Sequence, residues 1–336
     1  MKPQMINGRR VIPGRAALKF ATPGSVHVDQ LMTDFAINYQ NLPFVGRQLF
    51  PFAPVGKETG KYAVFNADRR AERPRTGLRA PKSRAEVVDW SHSFKTYGCE
   101  EYAFAAGVDD RERDNADAPI DPDQRATAAA LIAVELAAEV RIAKLVTTAA
   151  TYAASHKATL AGSDQWSDLA ASDPIGDKLT ADEALQKDAG VITNTAVIPF
   201  AVFNKLRRHS KILDAFKYVR GGVVTHEMLA SYFDIDPERL LVPGAVKNTA
   251  ALGAAAQIAP IWSDSVWFGF VDPGAASALE GITFGKSFRV SQEGQPRLVR
   301  EFRDDPARTD YKEVSEITDE RITAIECGFL YSDVLA

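Results

Sequence analysis

The chain has 336 residues, 46% of them hydrophobic and 25% charged, with a formal net charge of −4. That is enough apolar material for a sizeable core, and the length suggests two domains or one domain with large excursions. The near-neutral balance gives no general reason to expect nucleic acid or membrane as a partner. Cys99 and Cys327 are too far apart in sequence for metal or redox spacing, so a reducing compartment is expected.

Residues 1–27 hold Lys2, Arg9, Arg10, Arg15 and Lys19 with no apolar core segment behind them, so no signal peptide is expected and the segment reads as an extended basic arm. Val28, Leu31, Met32, Phe35, Ala36 and Tyr39 fall at helical spacing. Pro43, Pro51 and Pro54 then keep the chain extended. Residues 60–66 read as a strand. Residues 86–97 alternate, with Val88, Trp90, His92, Phe94 and Thr96 on the apolar side and Tyr97 on the polar one. Between these strands, Arg69, Arg70, Arg73, Arg75, Arg79, Lys82 and Arg84 face a single acid, Glu72. Two strands with a long polar tip predict a projecting hairpin that cannot bury a core of its own.

An acidic stretch follows, Asp109, Asp110, Glu112, Asp114, Asp117, Asp121 and Asp123, leading into the longest predicted helix. Asp121 is the expected N-cap and Pro122 the first helical residue. No Gly or Pro interrupts Gln124 to Ala154, so a helix over 122–154 would run roughly 45–50 Å at 1.5 Å per residue. Its most apolar run, Ala126 to Val134, is about half of a membrane span. Residues 155–180 read as irregular, 181–187 as a short helix, Thr195–Ile198 as a strand, and Pro199 to Arg208 as a helix. Thr225 is expected to cap a helix ending at Phe233-Asp234. The remainder predicts strands: 240–242, 246–251, 266–271, 283–290, 297–302 and 322–331.

No enzyme constellation appears. His27, His92, His156, His209 and His226 are scattered, with no H-E-x-x-H, and there is no G-x-S-x-G, Walker A or G-x-G-x-x-G. The acids of 109–123 lack the order of a calcium loop. No cofactor or metal is expected. The basic segment 69–84 allows three readings: a solvated loop, a nucleic-acid contact through clustered arginines, or a contact with another copy. Aromatic residues for base stacking are absent from 69–84. Seven basic groups there match seven acids at 109–123, so an intersubunit contact is expected between Arg69, Arg70, Arg73, Arg75, Arg79, Lys82 and Arg84 of one copy and Asp109, Asp110, Glu112, Asp114 and Asp117 of its neighbour.

The order of arm, hairpin, long helix, mixed segment and returning strands resembles the major capsid proteins of tailed bacteriophages, with the α+β Hong Kong 97-type fold. The more specific likeness is in the series Tyr232-Phe233-Asp234-Ile235-Asp236, Arg239-Leu240-Leu241-Val242, Val246-Lys247-Asn248-Thr249-Ala250, Ile261-Trp262-Ser263-Asp264-Ser265-Val266-Trp267, Thr283-Phe284-Gly285-Lys286-Ser287-Phe288 and Glu326-Cys327-Gly328-Phe329-Leu330-Tyr331. The resemblance implies an N-terminal arm at 1–27, entry to the peripheral (P) domain at 28–55 and an E-loop hairpin at 56–98. It further implies a P domain over 99–180 with spine helix 122–154, an axial (A) domain over 181–282 and P-domain strands over 283–336. It implies a structural subunit that forms the pentamers and hexamers of an icosahedral head around double-stranded DNA, assembled in the host cytoplasm. Its implied partners are other copies, a portal, a scaffold and a cement protein, with only weak non-specific DNA contact and no membrane. An encapsulin-like nanocompartment shares the fold and is the alternative. Some members carry a longer N-terminal scaffolding segment, which is expected to be absent, removed or separately encoded here. Some members crosslink a Lys to an Asn, but no asparagine follows Asn248, so a non-covalent shell is expected.

Overall fold

In a computed structural model of the chain, the described residues are 5–6, 9–10, 27–28, 44–64, 78–79, 81–84, 93–116, 121–217, 224–251, 254–274 and 282–336. The arm contributes β1 (Met5–Ile6), β2 (Arg9–Arg10) and β3 (His27–Val28). The helix expected over 28–39 otherwise lies outside the described residues. Then come α1 (Gly46–Leu49), β4 (Phe52–Val55), β5 (Thr59–Val64), β6 (Ser93–Gly98), β7 (Glu100–Asp109), α2 (Asp110–Asp114) and α3 (Pro122–Thr147). The middle of the chain supplies β8 (Lys157–Thr159), α4 (Pro174–Ala189), β9 (Thr195–Val197), α5 (Phe200–Leu206), α6 (Ser210–Ala215) and α7 (His226–Tyr232). The last third is strand: β10 (Leu240–Leu241), β11 (Val246–Asn248), β12 (Ile258–Pro260), β13 (Val266–Gly269), β14 (Gly285–Val290), β15 (Leu298–Asp304), β16 (Thr309–Ile322) and β17 (Gly328–Ser332).

Two sheets organise these elements. In the larger, the 14-residue β16 pairs antiparallel with β7 along one edge. Along its other edge it pairs with β15 and then β14, while β3 and β4 extend the sheet beyond them. Helix α3 lies on this sheet over β7 and β16. The smaller sheet has the order β10-β9-β13-β17-β8. Its core is built around Trp166, Phe233, Phe268 and Tyr331, with Leu185 from α4, Val202 from α5, Ile212 from α6 and Leu229 from α7. A second cluster, including Ile142, Val146, Trp262, Trp267 and Phe284, joins α3 to that sheet. Strand β17 sits beside β13 and β8 beside β17, so the smaller sheet draws strands from both sides of the expected boundaries at 180 and 282.

Several expectations need correction. Helix α3 starts as expected, with the Asp121 carboxylate accepting the N–H groups of Asp123 (3.0 Å) and Gln124 (3.4 Å). It stops at Thr147, not at 154, and its 26 residues span about 39 Å. Side chains take the C-terminal carbonyls: Thr147 Oγ1 donates to Ala143 O (2.8 Å) and Tyr152 Oη to Val146 O (2.9 Å). The irregular reading of 155–180 misses the first half of α4, which begins at Pro174 and ends on Gly190 in the left-handed conformation (φ +66°). In β6 the inward side chain is Tyr97, stacked on Phe288 at 4.6 Å, whereas Phe94 is 57% exposed. The strand expected at 322–331 is two elements, the end of β16 and β17, separated by a turn and the 3₁₀ segment Ile325–Cys327.

The entry of the chain into α1 is tied to α3. Glu139 is buried and accepts the backbone N–H groups of Val45 (3.1 Å) and Gly46 (2.7 Å) and the indole N–H of Trp262 (2.6 Å). A Cβ at Gly46 would lie 2.7 Å from Glu139 Oε2 and 3.1 Å from Ile142 Cδ1. Gly46→Ala is therefore expected to destabilise the fold by about 1–3 kcal/mol through overpacking, read as a fall of several degrees in Tm by differential scanning fluorimetry.

Candidate functional site

Strand β16 turns one side to α3, while its other side is mostly half-buried. The inward positions are Asp310, Lys312, Val314, Glu316, Thr318 and Glu320, all buried. Apart from Val314 they are polar or charged, and α3 meets them with groups of its own. Glu135 of α3 pairs with Arg297 and with Arg47 (3.4 Å). Glu316 pairs with Arg47 and with Arg297 (3.3 Å). Arg141 of α3 makes a two-pronged contact with Glu320 (3.1 and 3.0 Å) while stacking over the Tyr102 ring of β7 (3.6 Å). Arg289 and Arg47 both lie against Phe52, at 3.6 and 5.0 Å from the ring centroid. The result is a charged seam inside the subunit joining α1, α3, β7, β14, β15 and β16. Burial raises the Glu316 carboxyl, but the Arg47 and Arg297 guanidiniums outweigh it and hold the group below its ordinary range. Burial dominates at Glu139, whose carboxyl is raised despite its three donors.

The seam continues toward the start of α3 on the surface. Arg113 bridges Asp123 (2.9 Å) and Asp310 (2.7 Å), Arg303 bridges Asp110 (2.7 Å) and Asp310 (3.0 Å), and Lys312 contacts Glu301 (2.9 Å). This refines the acidic stretch. Asp109 caps α2 by accepting Arg111 N–H (2.8 Å), and Asp110 is paired within its own chain. Glu112 and Asp114 are exposed and have no ion pair among the described residues. Asp117 lies outside the described residues, as do Arg69, Arg70, Arg73 and Arg75. Arg79, Lys82 and Arg84 are exposed; Arg79 donates to Ser83 O (2.6 Å), and none of the three has an acidic partner among the described residues.

The hairpin that carries this basic tip is rooted in the large sheet. Phe288 of β14 packs against Tyr97 and, at 5.1 Å, Tyr62. The Gly98 N–H donates to Asp319 of β16 (2.9 Å). The described histidines have packing roles: His156 sits between Gly328 O (3.2 Å) and Asp188 (2.9 Å), His226 contacts Leu240 O (2.8 Å), and His209 contacts Ser172 (2.9 Å). Among the described residues no group of His, Cys, Asp and Glu is placed to hold a metal ion, and no helix is long and apolar enough to cross a membrane.

No family model matches the sequence. A curated protein does: the major capsid protein of Pseudomonas phage JBD67 is 30% identical over 318 residues, covering 92% of this chain and 97% of that protein. The chain belongs to the phage major capsid proteins. The major capsid protein of Burkholderia phage BcepMu is 29% identical over 210 residues, 62% of this chain and 67% of that protein. Among solved structures, a phage-related protein from Bordetella bronchiseptica RB50 aligns with a TM-score of 0.74 and 26% identity, covering 92% of this chain and 98% of that one. The capsid structure of cyanophage P-SCSP1u aligns with a TM-score of 0.57 over 98% of this chain and 96% of that one, at 9% identity, a likeness of fold. The fold is the Hong Kong 97 type, and the role is that of a structural capsid subunit that assembles with its own copies into the shell of a virion.

For this capsid subunit the charged seam decides whether the building block holds its shape. Removing Glu316 leaves Arg47 and Arg297 to share the remaining carboxylates of Glu135 and Glu320, and a buried charge imbalance costs up to about 3–5 kcal/mol, so Glu316→Ala is expected to lower Tm by several degrees. The pH dependence has a definite sign. Glu316 has a depressed folded value, so its contribution is full above the ordinary carboxylate range and is lost as pH falls through the folded value. The Tm gap between the natural chain and Glu316→Gln is therefore expected to be largest near neutral pH and to narrow below about pH 4.

Proposed function

We propose that this subunit builds an icosahedral phage head around double-stranded DNA by forming pentamers and hexamers, in which segment 56–98 of one copy reaches across its neighbour. The reading is carried by an unmet charge on each side. The basic tip residues Arg79, Lys82 and Arg84 are exposed without an acidic partner among the described residues, while Glu112 and Asp114 are exposed without a basic one. Opposite charges on separate exposed surfaces favour register and partner choice between copies more than raw affinity. The contact set is Arg69, Arg70, Arg73, Arg75, Arg79, Lys82 and Arg84 against Asp109, Glu112, Asp114 and Asp117, with Asp110 shared with Arg303.

In this reading 1–27 is an arm, 28–55 the entry to the P domain, and 56–98 the E-loop. Residues 99–180 and 283–336 build most of the P domain, and 181–282 the A domain, whose sheet takes in β8 and β17. The subunit's work is assembly and not catalysis. With no asparagine after Asn248, weak contacts repeated over a closed lattice hold the shell without a Lys–Asn crosslink. Assembly takes place in the host cytoplasm with a portal and a scaffold, and a cement protein adds stability.

The test is charge reversal. A variant with the seven basic residues of 69–84 changed to glutamate is expected to keep its circular dichroism spectrum and to form no shells by negative-stain microscopy. Normal shells from that variant would overturn the proposed contact.

A further inference from the structure

Beyond the basic hairpin, a second hairpin stands out because Lys247 is the one charged residue of its sequence from 246 to 260. Strands β11 and β12 pair antiparallel, with Val246 opposite Pro260 and Asn248 opposite Ile258. That register puts Val246 and Ile258 on one side of the ribbon, where they are 53% and 63% exposed. At the tip, Ala251, Ala254, Ala255 and Ala256 are exposed too. From Asn248 to Ser263 the sequence has no charged residue.

The described part of this hairpin is held in shape. Asn248 Oδ1 accepts the N–H groups of Ala250 and Gln257, each at 3.0 Å. The Thr249 N–H and hydroxyl both donate to Gln257 O, at 2.8 and 3.1 Å. At the root, Ile261 N–H donates to Ala245 O (3.0 Å), and Ala245, Ile261 and Trp262 are buried in the core shared with α3. The Trp262–Glu139 hydrogen bond fixes the direction in which the hairpin leaves the body.

We propose that the β11–β12 hairpin is a self-docking surface, where one copy of this chain covers the Val246–Ile258 side and alanine tip of another; the inference rests on the capsid reading. Exposed apolar area gains when it is covered, and a loop ordered in advance loses little further freedom on docking. The absence of charge on that side and at the tip selects the occupant. Where copies of one chain gather symmetrically, equivalent segments approach each other, and any charge on them would meet its own sign. A nucleic-acid partner would call for basic side chains, and within 246–260 the sequence has only Lys247, on the other side of the ribbon.

The experiment uses the full chain. In shells of the natural protein, amide hydrogen exchange over 246–260 is expected to be at least about tenfold slower than in dissociated subunits, because covering the hairpin suppresses its local opening. Ile258→Glu and Ala255→Glu, both at exposed positions, are expected to retain the native circular dichroism spectrum and Tm. They are expected to give about tenfold less sedimentable shell, since each contact would enclose an unpaired carboxylate, while Ile258→Val assembles normally. Equal exchange in shells and subunits would overturn the proposal, as would normal shells from both glutamate variants; should one variant misfold, normal shells from the other would overturn it alone. Loss of exchange in shells that also contain a scaffold but not in scaffold-free shells would assign the surface to the scaffold and overturn it as well. A natural chain that forms no shell under any condition would overturn the capsid reading and this inference together.

Discussion

Ionised side chains tolerate burial only when each finds a partner of opposite sign, and this subunit buries them along its central line. Glu135 and Arg141 on one side of α3 must meet Arg297 and Glu320 at set positions, and Arg47 must reach Glu135 and Glu316 from the entry segment. Packing of aliphatic side chains tolerates small slips, whereas moving α3 by one turn against β16 would separate Arg141 from Glu320 and Glu135 from Arg297. The seam thus acts as a register device for a helix and a strand that are nearly two hundred residues apart in the chain.

The consequence for a shell subunit is mechanical. The seam ties the segment around Arg47, the long helix and the last strands into one body. Two hairpins are rooted in that body. Phe288 and Asp319 hold the base of the basic hairpin, and Glu139 with Trp262 holds the base of the β11–β12 hairpin. Glu139 also accepts the N–H groups at the start of α1, so one carboxylate coordinates the entry of the chain with the direction of a distant loop. A lattice built from many copies needs its contact elements delivered at repeatable angles, and Phe288 under one root and Glu139 with Trp262 under the other are buried.

In the proposed assembly the work is divided between the two hairpins. The basic tip offers long-range attraction and discrimination by charge, which screening by salt weakens. The β11–β12 hairpin offers apolar area that acts only on contact. The acidic counterpart near α2 is smaller than its sequence suggests, because Asp110 and Asp123 are engaged by Arg303 and Arg113 of the same chain. The neighbouring Glu112 and Asp114 carry the remaining negative surface.

Local chemistry was enough to place the elements whose signals are short-range. Asp121-Pro122 marked the start of α3, and Thr225 marked α7 through its hydroxyl bond to Met228 N–H (3.3 Å). The same Asp-Pro signal at Asp173-Pro174 was legible but lay within a stretch that read as irregular. The ordered series of C-terminal motifs pointed to the capsid family. Tertiary structure alone decided the rest. β16, the centre of the large sheet, had no apolar alternation because its inward positions are Asp310, Lys312, Glu316 and Glu320. A strand that buries charge looks solvated until its partners on α3, α1 and β15 are in place. In β6 it was Phe288, almost two hundred residues away, that selected Tyr97 over Phe94 as the inward ring. Sequence determines which groups must be paired or covered; only the folded chain determines which distant segment supplies the partner.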